Sequence, residues 1–279
     1  MSKLNSRGSA RPDARLSRRS LIAAAGILAA AGPGAASKAL AFSSSKPTKI
    51  HWNKDSNDAC HAKCAVCFLR GTQLLTPDGE VAIETLQIGD AVVTESGAAR
   101  AIRWIGRMSV GREPNGLWSE DVQPIRVAKD AFGRGSPRRD LYLSRAHMVH
   151  LNGVLVPIGD LINGRSIAPV HLDADGIEYF HVELDTHDVV MAEGAPCESL
   201  LLTPGTLWSF DNFEEYLALY GAPAREVTTP CAPIASFNGG RGALKSRLRS
   251  ALAPVIDCRH PLDIARDDIE ARALIAEAA

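Results

Sequence analysis

The chain has 279 residues, 46% of them hydrophobic and 5% aromatic, which is enough material to bury a full hydrophobic core. Its formal charge is −1, yet residues 1–41 hold seven Lys/Arg and one acid, leaving 24 basic against 31 acidic residues in the remainder. An acidic body argues against a nucleic-acid partner, whose footprint is a basic face.

The first 41 residues read as an export address. A basic, polar stretch ends in Ser17-Arg18-Arg19-Ser20, and Leu21 to Ala31 follows as a short apolar run. Eleven apolar residues fall short of the ~20 that span a bilayer, but they fit a signal h-region. Ala39-Leu40-Ala41 supplies small residues where a signal peptidase reads. The pair Arg18-Arg19 resembles the twin-arginine export signal, with Leu where that signal usually has Phe. An ordinary secretory signal is the other reading. Either one predicts a mature chain starting near Phe42, periplasmic or extracellular in a bacterium, with no stable membrane anchor. Six cysteines then lie where disulfides can form.

From Cys67 onward the pattern is that of an all-β module. Gln73-Leu74-Leu75-Thr76 runs into the turn Pro77-Asp78-Gly79, and Ala91-Val92-Val93-Thr94 runs into Glu95-Ser96-Gly97. Residues Arg100 to Ile105 alternate polar and apolar, which predicts one half-buried strand. Met148 to Leu151 meets Asn152-Gly153, a strong hairpin signal, and Val154-Leu155-Val156 follows. Tyr179 to Leu184 alternates again. A faint repeat runs beneath this: Asp78-Gly79 precedes Leu86-x-x-Gly89-x-x-Val92, and Asn152-Gly153 precedes Leu161-x-x-Gly164-x-x-Ile167. With 74 residues between Gly79 and Gly153, the repeat would be a duplicated half-domain. Past Thr203 the character changes. An aromatic stretch, Trp208 to Leu219, predicts a short helix starting near Asp211 or Asn212. Leucines at 244, 248 and 252 predict a second, and Asp263 to Ala279 a third, charged and Ala-rich.

Short stretches within the β region carry a resemblance. They are Cys67-Phe68-x-x-Gly71-Thr72, Ile88-Gly89-Asp90-x-Val92, Ser144-x-x-His147 and Leu184-Asp185-Thr186-His187-Asp188-Val189, with Ala192-Glu193-Gly194 just after. In this order and spacing they resemble the Hint module shared by hedgehog autoprocessing domains and inteins, most closely the bacterial stand-alone Hint-domain proteins. The resemblance covers residues 67–203 and implies a flat pseudo-two-fold β horseshoe, with residues 204–279 as a partly helical tail. Cys67 matches the family's first residue, the nucleophile. Ser144-x-x-His147 matches its Thr-x-x-His motif with Ser for Thr, and His187-Asp188-Val189 stands where inteins carry a His-Asn-aromatic run.

The chemistry these residues can supply follows from their groups. A thiolate attacks, so Cys67 needs a base or a neighbouring positive charge. His147 can take the thiol proton, or give one to the departing amide nitrogen. Ser144 can hydrogen-bond the backbone at the scissile peptide. Asp185 and His187 can activate whatever resolves the thioester. Each also has a plain structural reading: Cys67 as a core thiol or a disulfide partner of Cys60 or Cys64, His147 as a satisfied histidine with His150 competing for its role, Asp185 and His187 as a turn. Arg138-Arg139-Asp140 and Arg247 to Arg249 read as solvated faces, and Cys231 and Cys258 as a disulfide or buried unpaired thiols.

The expected function is an exported self-cleaving cysteine module. An N–S acyl shift at Cys67 would form a thioester and release residues 42–66, the chain acting on its own upstream segment with water, a thiol or an amine as acceptor. Splicing is not expected, since no His-Asn dipeptide occurs and the chain continues well past 203. The alternatives are a non-catalytic exported β module for interaction or structure, and a small metal-binding head built on Cys60, His61 and Cys64. That cysteine spacing lacks the second Cys-x-x-Cys pair of a typical zinc site, and no cofactor is expected.

Overall fold

The computed structural model describes residues 66–113, 116–221, 229–237 and 239–278. The export signal and the cluster Cys60, His61, Cys64 lie outside them, and so do the disulfides imagined from Cys60 or Cys64 to Cys67. Fourteen short strands come first in the chain: β1 (Phe68–Leu69), β2 (Gln73–Thr76), β3 (Gly79–Ala82), β4 (Ala91–Val93), β5 (Ala99–Ala101), β6 (Trp104–Gly111), β7 (Ile125–Val127), β8 (Leu141–Leu143), β9 (Met148–Leu151), β10 (Val154–Pro157), β11 (Ile167–Pro169), β12 (Gly176–Glu183), β13 (Val189–Ala192) and β14 (Ala195–Glu198). Four helices follow: α1 (Pro204–Leu207), α2 (Phe213–Tyr220), α3 (Gly240–Leu252) and α4 (Pro261–Glu277). The strands form two six-stranded sheets, in the orders β11-β7-β8-β1-β12-β6 and β10-β9-β14-β13-β2-β3, and a β4-β5 ribbon. The architecture is mostly antiparallel β with a helical C-terminal part, as the sequence pattern predicts.

The repeat is physical, and its period is 75 residues. Thr72 and His147 each close a tight turn onto the residue three back, Leu69 and Ser144, and each carbonyl accepts from Ile83 or Ile158, at 2.9 and 2.8 Å. A 3-10 turn follows each hairpin, at Ile83–Thr85 and at Ile158–Leu161. Gly89 and Gly164 then take matching left-handed φ angles of 95° and 73°, which favour glycine. The glycines of the two hairpins are not equivalents: the loop Pro77-Asp78 corresponds to Asn152-Gly153, whose φ of 52° and 79° suit a type I′ turn. In the second sheet the hairpin β13–β14 is the pivot, with Ala192 paired to Leu74 on one side and Cys197 to Val149 on the other. In the first, Phe68 of β1 pairs with its own repeat mate, Leu143 of β8.

The strand expected over Arg100 to Ile105 is two strands. Ile102 exchanges backbone bonds with the loop before β4, through Gly89 and Asp90, while the N–H of Arg103 already donates to Glu183 in β12. The chain changes sheets at that point, so the alternating pattern spans a crossing. Between the sheets lies an apolar core that includes Phe68, Leu74, Ile125, Leu143, Val149, Ile158 and Val182. A second cluster, with Trp104, Met108, Tyr179, Leu207, Phe210 and Tyr216, encloses Cys67.

The aromatic stretch covers the outer edge of the first sheet. Asp211 accepts from the Ser109 N–H at 2.6 Å, and Asn212 accepts from Arg107 at 2.8 Å and donates to the Ile105 carbonyl at 2.9 Å. These side chains occupy backbone groups of edge strand β6 that would otherwise pair with another chain. Gly106 permits the approach of Phe210, since a Cβ there would sit 2.5 Å from the ring. Farther on, residues 233–235 join the free edge of β10, with Leu155 donating to Pro233 and Ala235 donating back to Leu155 at 2.9 and 2.8 Å. No described helix is long and apolar enough to cross a membrane.

Candidate active site

Cys67 sits immediately before β1, wholly buried. Its backbone N–H donates to Ser144 Oγ at 2.7 Å, and the Ser144 N–H donates to the Cys67 carbonyl at 2.9 Å. Ser144 thus clasps the nitrogen of the Val66–Cys67 peptide, at the end of β8 that pairs with β1. Burial drives the thiol pKa far above its ordinary value, and the nearby Glu198 carboxylate adds to this against the opposing Val66 backbone hydrogen bond. The resting Cys67 side chain is therefore a thiol.

His147 follows three residues after Ser144, in the tight turn that the repeat places opposite Thr72. Its ring is fully buried, packs on Phe68 with centroids 4.3 Å apart, and faces His181 at 4.9 Å. Burial first, then the charge of His187, depress its pKa to about 3, against the pull of the Val66 backbone beside it. His147 is therefore neutral at every physiological pH and able to accept a proton. Apart from the contact with the Val66 backbone, neither ring nitrogen has a hydrogen bond of good geometry among the described residues.

Two residues that the sequence reading missed complete the buried group. His181 lies in β12 with its pKa pushed well down by burial and by His147 and His187. Glu198 ends β14, fully buried, with Oε1 accepting from the Met148 N–H at 2.9 Å and its pKa raised by burial. One ligand atom each from His147, His181 and Glu198 falls within 4.8 Å of the others, and His181 Nε2 has no hydrogen bond of good geometry among the described residues. Two imidazoles and a carboxylate suit a zinc-like cation, so this trio is where the described residues could hold a metal, while Cys60, His61 and Cys64 lie outside the described residues. The signal for them was a lone ionisable residue within apolar strands, Tyr179-Phe180-His181-Val182 and Ala195-Pro196-Cys197-Glu198.

His187 and Asp185 part company. Both lie in the loop between β12 and β13, not on a strand. His187 Nε2 lies 3.4 Å from Glu198 Oε2, and Nδ1 accepts from the Cys231 N–H at 3.0 Å. Burial opposes its charge, yet hydrogen bonding with Cys231 and Glu198 and the negative charge of Glu198 outweigh that, raising the pKa to about 9. Asp185 instead points to solvent and pairs with Arg100 at 3.4 Å, so it does not join the buried group. Asp185 and Thr186 are both exposed in that loop, whereas His187 turns back inward. His150, the competitor of His147, pairs with Glu95 near the surface.

Other expectations are revised as well. Cys231 and Cys258 are exposed free thiols, neither buried nor bridged. Arg249 is held by the buried Asp263 at 2.6 Å rather than solvated, whereas Arg138 and Arg139 remain exposed while reaching Glu80, Arg139 also Glu193. Glu193, in the Ala192-Glu193-Gly194 turn, holds the Gln73 N–H at 2.8 Å and so fixes β2 against the pivot hairpin.

The strand-rich segment thus has a buried cysteine at its head and a Ser-x-x-His turn beside it. Residues 66–204 match the family model described as Hint domain, which supports placing this segment in the Hint family. Among solved structures, the chain is similar to the crystal structure of MchDnaB-1 intein, with 17% identity over 47% of this chain and 98% of that one, at a TM-score of 0.35. The solution structure of a bacterial intein-like domain from Clostridium thermocellum is 15% identical over 48% and 98%, at 0.36. The Msm DnaB1 intein splicing domain bound with zinc is 15% identical over 47% and 98%, at 0.33. The curated proteins gave no match.

Proposed function

We propose that this is an exported Hint-module protein that cleaves its own chain before Cys67 by an N–S acyl shift. The observation that carries the reading is the convergence on one peptide bond: Ser144 holds its nitrogen, the Cys67 thiol adjoins its carbonyl, and the neutral His147 lies beside Val66. His147 takes the thiol proton as Sγ attacks the Val66 carbonyl carbon. The C–N bond then breaks, the same proton passes to the Cys67 nitrogen, and the Val66 acyl group is left on sulfur as a thioester. Water, a thiol or an amine resolves it and frees the upstream segment. A thiol pKa this high and a base this weak make the first step slow.

Intact-mass measurement of the purified full chain, with and without dithiothreitol or hydroxylamine, should show loss of the segment ending at Val66. Cys67→Ala should abolish that loss, and His147→Ala should slow it by ~10²–10⁴. A full-length mass that persists under strong nucleophile and is unchanged by Cys67→Ala would refute the reading.

A further inference from the structure

Helix α3 turns its polar side inward and its apolar side outward. Ser246, Arg249 and Ser250 face α4, where they meet Asp263, Arg266 and Asp267. Leu244, Leu248 and Leu252 recur at every fourth residue and form a stripe on the opposite side. The N–H groups of Val255 and Ile256 both close onto the Leu252 carbonyl, at 2.9 and 3.0 Å, and this turn lengthens the stripe by two apolar residues. All five side chains are between 55% and 83% exposed. A helix packed on a soluble protein does the reverse, burying leucine and leaving serine to water. A contiguous exposed apolar patch marks a contact surface.

The charges beside the stripe identify the partner. Arg241 and Lys245 border it on one side and Arg247 on the other, all three exposed, and none pairs with an acid among the described residues. Residues 227–256 hold four basic residues and no acidic one, whereas residues 42–279 as a whole hold 24 basic against 31 acidic. A cationic border therefore stands on an acidic body. Two copies meeting stripe to stripe would set these cations against their own kind. Residues 1–41, with seven Lys/Arg and one acid, carry the same sign and are no better match. An anionic lipid surface satisfies both features at once: leucines enter the boundary of the acyl chains, while the long Lys and Arg side chains reach the headgroups.

We propose that α3 is a reversible membrane-docking helix that lies flat on anionic phospholipid. Leu244, Leu248, Leu252, Val255 and Ile256 enter the interface, and Arg241, Lys245 and Arg247 meet the phosphates. The acidic remainder is repelled by the same surface, which fixes the side of the molecule that faces lipid. Docking is independent of cleavage at Cys67.

The leader is itself basic and partly apolar, so the test needs a readout local to α3. Leu248→Trp in the full chain places an indole on the stripe, read as the difference from the parent's fluorescence. With vesicles of equal phosphatidylglycerol and phosphatidylcholine, that added emission should shift to the blue and be quenched by brominated acyl chains. Vesicles of phosphatidylcholine alone should leave it unchanged. Replacing Arg241, Lys245 or Arg247 by Gln should weaken the response ~5-fold each, and high salt should weaken it further. Leu244→Ser with Leu252→Ser should weaken it at least ~10-fold while the far-ultraviolet circular dichroism stays the same. Protein that pellets with anionic vesicles while the added indole stays unquenched would place the contact in another segment and overturn the proposal. Equal quenching by both vesicle types would overturn it through the charges. A blue shift without lipid that grows with protein concentration, accompanied by a larger species in sedimentation velocity, would make the face an interface between copies and overturn it as well.

Discussion

The β module and its helical tail are held together by opposite chemistries. In the module, the sheets close on apolar side chains, and the few ionisable groups inside are concentrated around Cys67. In the tail, α3 and α4 meet along a polar seam. Asp263, fully buried, accepts from Ser246 and Arg249, and Arg266 reaches Ser246 and Ser250 at 2.6 and 2.7 Å. The face of α3 carrying Leu244, Leu248 and Leu252 is exposed, while α4 sends only Leu262 and Ile269 into the module core. Apolar packing is non-directional and tolerates exchange, whereas a buried carboxylate depends on each of its partners. The contrast teaches which part of the chain can fail without the other.

The largest effect should come from Phe68→Ala, which opens a cavity beneath His147 and His181 as well as between the sheets. A loss of ~3–5 kcal/mol in the main unfolding transition is expected by denaturant titration. Asp263→Ala removes the centre of the seam and should cost ~2–4 kcal/mol, visible in hydrogen exchange as loss of protection in α3 and the start of α4. The amides of β9 and β14 should keep theirs. Loss of protection in both regions together would show that the tail and module unfold as one.

Acid should separate the regions by pH. The buried His147 and His181 have folded pKa values below their unfolded ones, so each removes stability as pH falls from 6.5 toward 3. Glu183 opposes this, because burial, despite Arg103, raises its pKa to about 7; its neutral form stabilises the fold increasingly as pH falls from 7 to 4.5. Asp263 has the reverse shift. Burial works against its charge, but Arg249, Ser246 and the His260 N–H overcome that and hold its pKa at about 2, so its contribution lasts above 3.8 and disappears as pH drops to 2. Glu183→Gln should therefore start the module's acid decline near pH 6.5, by about 1 kcal/mol per pH unit, with helix α4 unaffected until below pH 4. The smallest effect is expected from Arg165→Ala, which removes exposed pairs with Glu270 and Glu277. Thermal unfolding should register less than ~1 kcal/mol, and less still at high salt.

Much of the fold was legible because its signals are local. Asn152-Gly153 specifies its hairpin through backbone angles that few residues adopt, and the Leu-x-x-Gly spacing marks both halves of the repeat. The true period of 75 was hidden, since the two hairpins use glycine at different turn positions and the glycines count as 74. The strand pattern across Ile102 and Arg103 misled for a related reason: alternation survives a crossing between sheets. At the site, motif order picked out Cys67, Ser144, His147, Asp185 and His187, and of these Asp185 lies apart from the buried group. His181 and Glu198 were overlooked, because each sits in an apolar run with no motif around it.

The sequence by itself determined the β character, the duplicated halves, the helical tail and the identity of the residue at the head of the module. These depend on periodicity, turn residues and short spacings, which are properties of neighbours in the chain. Only the tertiary structure decided which ionisable groups share one dry space. Residues 67, 147, 181, 187 and 198 come together through strand pairings, one returning loop brings the exposed Cys231 to their edge, and the protonation of the buried groups follows from burial, which no local pattern encodes. The same burial that keeps Cys67 a thiol and His147 neutral leaves Cys231 as the exposed sulfur of the group.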